Sequence, residues 1–327
     1  MRPSRAVEVL SGLVSTRWPA FLWGPPGVGK SSIVRQVAAI KGFEILDVRA
    51  PLLDPTDLRG LPYVADGSAK WAPPSFLPRD DGSEGLLFFD ELNAAPPLVQ
   101  ASLYQLTLDR RVGEYVLPDG WRIIAAGNRS EDAAIVFRMP SALANRFIHI
   151  DFEANLEDWQ DWAATNKIHP LVQAFLRLRS ELLLDMSNTD RGFPTPRSWE
   201  MVSDAMKAFG EAGSILDVLI GTIGEGAAIE FVSFCKRTLT AEMVEAIIAD
   251  PDGSSIPNDM GDLYALISYL AARASRLDTV NAAGKLLARI SPEIATIMAR
   301  LMIKANGSFS LNKDFLKFVR KHRDFVI

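Results

Sequence analysis

The chain has 327 residues, 48% hydrophobic and 23% charged, with 35 basic against 40 acidic side chains and a formal net charge of −5. This composition excludes a disordered or fibrous chain, allows most apolar surface to be buried without covalent staples, and lacks the overall basic footprint of a nucleic-acid binder, although a local groove can still be basic. One cysteine, Cys235, rules out an intramolecular disulfide and a Cys-based zinc site and fits a reducing compartment; His149, His169 and His322 are too few for a His-rich metal centre.

In chain order, short apolar runs alternate with helical patterns over the first 150 or so residues, the arrangement of a parallel sheet covered by helices. Residues 19–23 read as a buried strand, and residues 30–40 as a helix with Ile33, Val34, Val37, Ala38 and Ile40 apolar. Residues 43–48 and 85–89 read as strands, 98–108 as an amphipathic helix, 121–126 as a strand, and 148–152 as another after a short helix at 141–147. Two hairpins interrupt this pattern: one around Asp66-Gly67, and one within 110–121 turning at Pro118-Asp119-Gly120. From residue 153 onward the periodicity is helical, at 156–166, 170–184, 197–209 and 227–239. After the linker-like stretch Asp250-Pro251-Asp252-Gly253-Ser254-Ser255 come further helices at 263–273, 279–288, 292–304 and 311–323. On this reading an α/β domain, residues 1–152, is followed by an all-α region that forms one unit or two, 153–250 and 251–327.

Gly24-Pro25-Pro26-Gly27-Val28-Gly29-Lys30-Ser31 fits the phosphate-binding loop of P-loop NTPases, and it sits between a strand and a helix as that motif requires. Glycines let backbone N–H groups turn inward around phosphate oxygens, and the helix N-terminus adds partial positive charge. Lys30 would reach the β and γ phosphates and Ser31 would ligate Mg²⁺; Ser32, next on the same helix, is grouped with these nucleotide-binding residues. About 60 residues on, Leu86-Leu87-Phe88-Phe89 ends in Asp90-Glu91, an apolar strand carrying two carboxylates. Successive strand residues point to opposite faces, so the two acids can differ in role: Asp90 holding Mg²⁺, Glu91 orienting and deprotonating an attacking water.

These residues resemble the AAA+ ATPases, and within them the MoxR-type group of the dynein-related, helix-2-insert branch, over roughly residues 3–239. Phe89-Asp90-Glu91-Leu92-Asn93 followed by Ala94-Ala95-Pro96-Pro97 looks like that group's Asp-Glu-Ile-Asn-Arg-Ala-Pro stretch, with Ala94 in place of the Arg. Ala125-Ala126-Gly127-Asn128 is similar to sensor 1, which makes Asn128 the residue that positions the lytic water. Leu143-Ala144-Asn145-Arg146-Phe147 stands where the family keeps its arginine finger, offered to the neighbouring subunit, with Arg138 as a rival to Arg146. Thr195-Pro196-Arg197-Ser198 looks like sensor 2, placing Arg197 near the γ-phosphate. Residues 60–77 resemble the helix-2 insert and the 110–121 hairpin the pre-sensor-1 hairpin, which in this family line the pore or its entrance.

The resemblance implies an α/β P-loop core (residues 1–152) and a helical lid (153–250); the additional C-terminal helical extension (251–327) matches no pattern of the family. It implies ATP and Mg²⁺ as cofactors, a homo-oligomeric, hexameric ring, and a protein client, often a partner with a von Willebrand factor A domain. Two other readings stay open. A nucleic-acid motor or nuclease-associated NTPase has Arg110 and Arg111 in a pore hairpin in its favour and the acidic balance against it; an ATP-binding scaffold with negligible turnover has Lys30, Asp90, Glu91 and Asn128 against it. Residues 1–8 have no apolar core of a signal peptide, and no run reaches the roughly 18 apolar residues of a membrane span, so the expectation is a cytoplasmic protein. Trp18, Trp23, Trp159, Trp162 and Trp199 read as core, as does His149, and Cys235 as a small buried hydrophobe. The last helix carries Lys313, Lys317, Arg320, Lys321 and Arg323 against Asp314 and Asp324, five basic against two acidic, on an amphipathic pattern that is a solvated lid helix or a docking face.

Overall fold

The computed structural model describes residues 1–80, 82–132, 136–189 and 191–322. Arg323 and Asp324 of the basic tail lie outside these. The chain divides into two compact units, Met1–Ala154 and Asn155–Ile327.

The first unit runs α1 (Pro3–Leu13), β1 (Ala20–Trp23), α2 (Lys30–Lys41), β2 (Glu44–Arg49), α3 (Pro55–Arg59), β3 (Leu61–Ala65), β4 (Ser68–Ala72), β5 (Gly85–Asp90), α4 (Pro97–Asp109), β6 (Arg111–Val112), β7 (Tyr115–Val116), β8 (Trp121–Gly127), α5 (Ser141–Ala144) and β9 (Ile148–Asp151). Five strands form one parallel sheet in the order β2-β5-β8-β1-β9. β5 is buried along its whole length, which explains its unbroken Leu-Leu-Phe-Phe run: a central parallel strand is covered on both faces and has no polar side to alternate with. Leu87 and Phe89 meet Val99, Leu103 and Leu106 of α4 and Trp121 and Ile123 of β8 in one cluster. On α2, Ile33, Val34, Val37 and Ala38 form the buried stripe that the helical period demands. α1 has only Ala6 and Leu10 buried, a stripe too narrow to announce a helix by periodicity.

The β3–β4 hairpin turns at Asp66 (φ 53°) and Gly67 (φ 73°), two consecutive positive φ values of the kind a two-residue hairpin needs. The second hairpin differs from the sequence expectation. β6 and β7 turn at Gly113-Glu114, with Gly113 at φ 57°, while Pro118-Asp119-Gly120 forms the next turn, closed by Trp121 N–H donating to Pro118 O at 3.0 Å. The Leu117 N–H donates to Arg110 O at 2.7 Å and the Arg110 guanidinium donates to Pro118 O at 2.7 Å, which fixes the shorter register.

The second unit is helical: α6 (Leu156–Thr165), α7 (Pro170–Leu178), α8 (Pro196–Phe209), α9 (Leu216–Ile223), α10 (Glu225–Arg237), α11 (Ala241–Ala249), α12 (Met260–Ala272), α13 (Leu277–Leu286), α14 (Pro292–Ala305) and α15 (Lys313–Lys321). The 170–184 pattern is α7 followed by a 3-10 turn at Ser180–Leu183. α12 packs on α7 and α14, and α11 on α13, so helices from both sides of the 250–255 stretch share one unit. Its core includes an aromatic cluster of Phe175, Trp199 and Phe231, with Trp199 Nε1 donating to Leu182 O at 2.6 Å. α15 buries Phe315 and Phe318 and packs on α13, so its apolar face is covered. Cys235 is partly buried, and desolvation pushes its thiol up to about 12.

Two aromatic residues sit differently from the sequence expectation. Trp18 is exposed, with the Arg17 guanidinium 4.9 Å from its ring centroid, because the strand starts only at Ala20. His149 is exposed on the edge strand β9, yet both ring nitrogens are bonded: Nδ1 accepts from Trp23 Nε1 at 2.7 Å and Nε2 lies 2.8 Å from Ala144 O.

His169 caps α7, its Nδ1 accepting from Leu171 N–H at 3.2 Å, and burial, with Lys207 and Arg273 nearby, pushes its pKa down to about 4 from 6.5. Between those values the unfolded chain binds the proton and the folded one does not, so stability from this group is full above about pH 6.5 and is lost as pH falls towards 4. Urea unfolding followed across this window is expected to show a smaller pH slope for His169→Asn, which keeps a capping acceptor and cannot titrate, than for the wild type.

Candidate functional site

The site is built at the C-terminal ends of β1, β5 and β8, where the order β5-β8-β1 brings three loops side by side. Gly24–Ser31 leaves β1 and enters α2. Pro25 and Pro26 fix φ in the first half, and Gly27 (φ 75°) and Gly29 (φ 100°) take left-handed angles that L side chains resist. Gly24 is required by a close approach: a Cβ there would lie 2.6 Å from Phe152 O. Val28 is buried and Ser32 exposed on the first turn of α2.

Lys30 is only 8% exposed. Its ammonium donates to Gly24 O at 2.6 Å, Pro25 O at 2.8 Å and Asn128 Oδ1 at 2.8 Å. Asn128, read from the sequence as the sensor-1 residue, is thereby joined to the phosphate loop. Asp90 is 3% exposed, and its Oδ2 accepts from Ser31 Oγ at 2.6 Å. Glu91 is exposed and carries φ 57°, an uncommon angle for a long side chain, whereas Asp90 is buried. Asp90 Oδ1 accepts the Glu91 N–H at 3.0 Å and so stabilises this turn.

Three contacts here are not legible in the sequence, although Asn93 itself lies in the acidic motif. Asn93, 3% exposed, donates from Nδ2 to Asn128 O at 2.7 Å and accepts the Phe137 N–H on its backbone oxygen at 2.7 Å. Its side chain crosses directly over Gly127, where a Cβ would overlap Asn93 Oδ1. Arg49, at the end of β2, places Nη1 2.8 Å from Asp90 Oδ2. Tyr104 on α4 lies under Arg146, whose guanidinium carbon is 3.7 Å from the ring centroid. Arg146 also donates to Ala142 O, so it is turned onto its own α4–α5 surface, while Arg138 is exposed. Arg197 belongs to the second unit; it is exposed on the first turn of α8, behind a capping box formed by Thr195 and Ser198.

The donor set suits Mg²⁺. A magnesium ion carried by phosphates takes one or two protein oxygens and fills its remaining positions with phosphate oxygens and water, and Ser31 and Asp90 offer that pair of hard donors.

Residues 19–147 match the AAA domain of the dynein-related subfamily. The chain is similar to the MoxR protein of Methylorubrum extorquens, 28% identical over 69% of this chain and 61% of that protein, and to the MoxR protein of Paracoccus denitrificans, 30% identical over 47% of this chain and 48% of that protein. Over the matched residues the chain is similar to a MoxR-type AAA+ domain. The matched segments thus span about three fifths and about half of these two relatives. Among solved structures, the RuvB Holliday junction branch migration motor of Thermotoga maritima is 18% identical, covering 82% of this chain and 79% of that one with a TM-score of 0.36. The AAA+ domain is a nucleotide-binding P-loop module of the ATPase family, and no helix among the described residues is long and apolar enough to cross a membrane.

Gly127→Ala places a methyl group on Asn93 and forces it off Asn128. Overpacking of this kind costs about 1–3 kcal/mol, expected as a lowered melting temperature, whereas Gly113→Ala, in open space though at positive φ, is expected to cost about 1 kcal/mol.

Proposed function

We propose that this protein is an Mg²⁺-dependent ATP hydrolase that works as a hexameric ring in the cytoplasm and remodels or activates a partner protein, the partner of choice carrying a von Willebrand factor A domain. The observation that carries this reading is the Lys30 ammonium held jointly by the phosphate loop and Asn128, beside the Ser31–Asp90 pair. Phosphate oxygens would replace the carbonyl and amide oxygens around Lys30, and the backbone N–H groups of residues 27–32 would bind the rest of the phosphate chain. Ser31 and Asp90 would hold Mg²⁺, which neutralises charge on the β and γ phosphates.

Glu91 is the general base. Its exposed carboxylate faces the side open to water, while Asp90 is buried against Ser31, a difference in surroundings that suits different tasks for the two acids. Asn128 orients the water, and its release from Lys30 when phosphate arrives frees Oδ1 for that role. Arg146 acts in trans: a finger from the neighbouring subunit stabilises charge on the transferring phosphoryl group and is worth about 10³–10⁵ in rate. Arg197 closes over the γ-phosphate from the helical lid and turns its loss into domain rotation. A protein client is favoured by the β3–β4 hairpin, which exposes Leu61, Tyr63, Val64 and Trp71, and the net charge of −5 speaks against nucleic acid.

The test is phosphate release at increasing enzyme concentration with Mg-ATP. Specific activity is expected to rise with concentration, because each site is completed by its neighbour. Arg146→Ala is expected to cut turnover at least a hundredfold while leaving ATP binding intact, and Lys30→Ala to abolish binding. Turnover that is independent of concentration and of Arg146 would contradict the shared site.

A further inference from the structure

Asp90, the candidate metal carboxylate at the end of β5, has a further partner besides Ser31 and the Glu91 N–H. Its Oδ2 accepts from Ser31 Oγ at 2.6 Å and also faces Arg49 Nη1 at 2.8 Å, while Oδ1 takes the Glu91 N–H. The sheet builds this ion pair in: β2 and β5 pair in parallel, and their register sets Arg49 directly opposite Asp90, so two neighbouring strands end in a cation and an anion at one level. The side chains differ in access, 46% exposed for Arg49 against 5% for Asp90. A guanidinium with one end in solvent reaches onto a buried carboxylate at the oxygen that also binds Ser31.

We infer that Arg49 is a resident counter-charge at the metal carboxylate, and that it raises the Mg²⁺ concentration at which nucleotide binding becomes metal-dependent. The inference rests on reading Ser31 and Asp90 as the metal site. A buried carboxylate is costly unless paired, and in the metal-free protein Arg49 supplies that pairing. A divalent cation arriving at Ser31 and Asp90 meets the positive charge of Arg49. It is therefore admitted when it comes with the negative charge of a nucleotide polyphosphate, and disfavoured when it comes alone. Removing the charge of Arg49 relieves a repulsion between a single and a double charge a few ångströms apart, worth on the order of tenfold in metal affinity even in a water-like surrounding. The partial exposure of Arg49 leaves it free to swing aside once the metal is in place.

The experiment uses the full chain and a fluorescent N-methylanthraniloyl ADP, first in EDTA and then titrated with MgCl₂ at fixed nucleotide. For Arg49→Gln, the Mg²⁺ midpoint is expected to fall about tenfold, with affinity in EDTA changed less than twofold. Arg49→Lys keeps the charge and is expected to stay within about twofold of the wild-type midpoint, and it serves alone should the Gln variant fail to fold. Melting in EDTA supplies a second readout: Arg49→Gln is expected to melt below the wild type without metal, with the gap narrowed by Mg²⁺ and ADP together. A midpoint for Arg49→Gln equal to or above that of the wild type, or a tenfold shift in Arg49→Lys, would overturn the inference. Asp90→Asn separates the two levels. If it loses Mg²⁺ dependence while Arg49→Gln behaves as the wild type, the metal site stands and the role of Arg49 falls. If it leaves the titration unchanged, the metal-site reading falls and takes the inference with it.

Discussion

The Lys30 ammonium, buried to 8% exposure, is the constraint on which the arrangement of the first unit's site turns. A charge that deep is tolerated only where oxygens surround it, and here two come from the loop after β1 and one from the loop after β8. The glycines follow from that requirement. Gly27 and Gly29 bend the chain through positive φ so that it wraps the head of α2, and Gly24 lets the loop start within reach of Phe152 O. Without those bends the carbonyls of Gly24 and Pro25 could not turn towards the ammonium.

A second set of contacts carries the arrangement from β1 to β5. Asn93 spans the gap by binding the carbonyl of Asn128, whose side chain binds Lys30, so the loops after β5, β8 and β1 are linked in an unbroken series of hydrogen bonds. Gly127 is small because Asn93 passes over it. Glu91 holds a left-handed backbone angle that its neighbours over-determine: Asp90 Oδ1 accepts its N–H on one side, and the 3-10 turn Leu92–Ala94 begins on the other. Ala94, where the resembling family has Arg, ends that turn with no side chain to reach beyond it.

Much of this was legible in the sequence because it is contiguous. The phosphate loop is one uninterrupted stretch with a strand before it and a helix after it, and the acidic pair closes an apolar run that only a strand buried on both faces would show. Asn128 closes β8 in the same way. What escaped depends on pairing between distant segments. Arg49 looks like an ordinary strand-end cation until the β2–β5 register sets it against Asp90, and Asn93, though part of the acidic motif, has no visible partner until β8 is laid beside β5. The parking of Arg146 on Tyr104 needs α4 and α5 to be adjacent. α1 carries little periodic signal, because only Ala6 and Leu10 of it are buried. The misplaced hairpin turn has a local cause: Pro118-Asp119-Gly120 has stronger turn chemistry than Gly113-Glu114, but the Arg110–Leu117 bond decides the register.

The proposed ring completes each nucleotide site with a residue from the neighbouring copy of the chain. It is tested most directly by the solution mass, from light scattering, of Glu91→Gln with and without Mg-ATP. This variant keeps Lys30, Ser31 and Asp90 and lacks the proposed base, so it is expected to hold ATP unhydrolysed. A shift from a small species to about six subunits is expected when Mg-ATP is added. A mass that stays at one subunit with ATP demonstrably bound would contradict it.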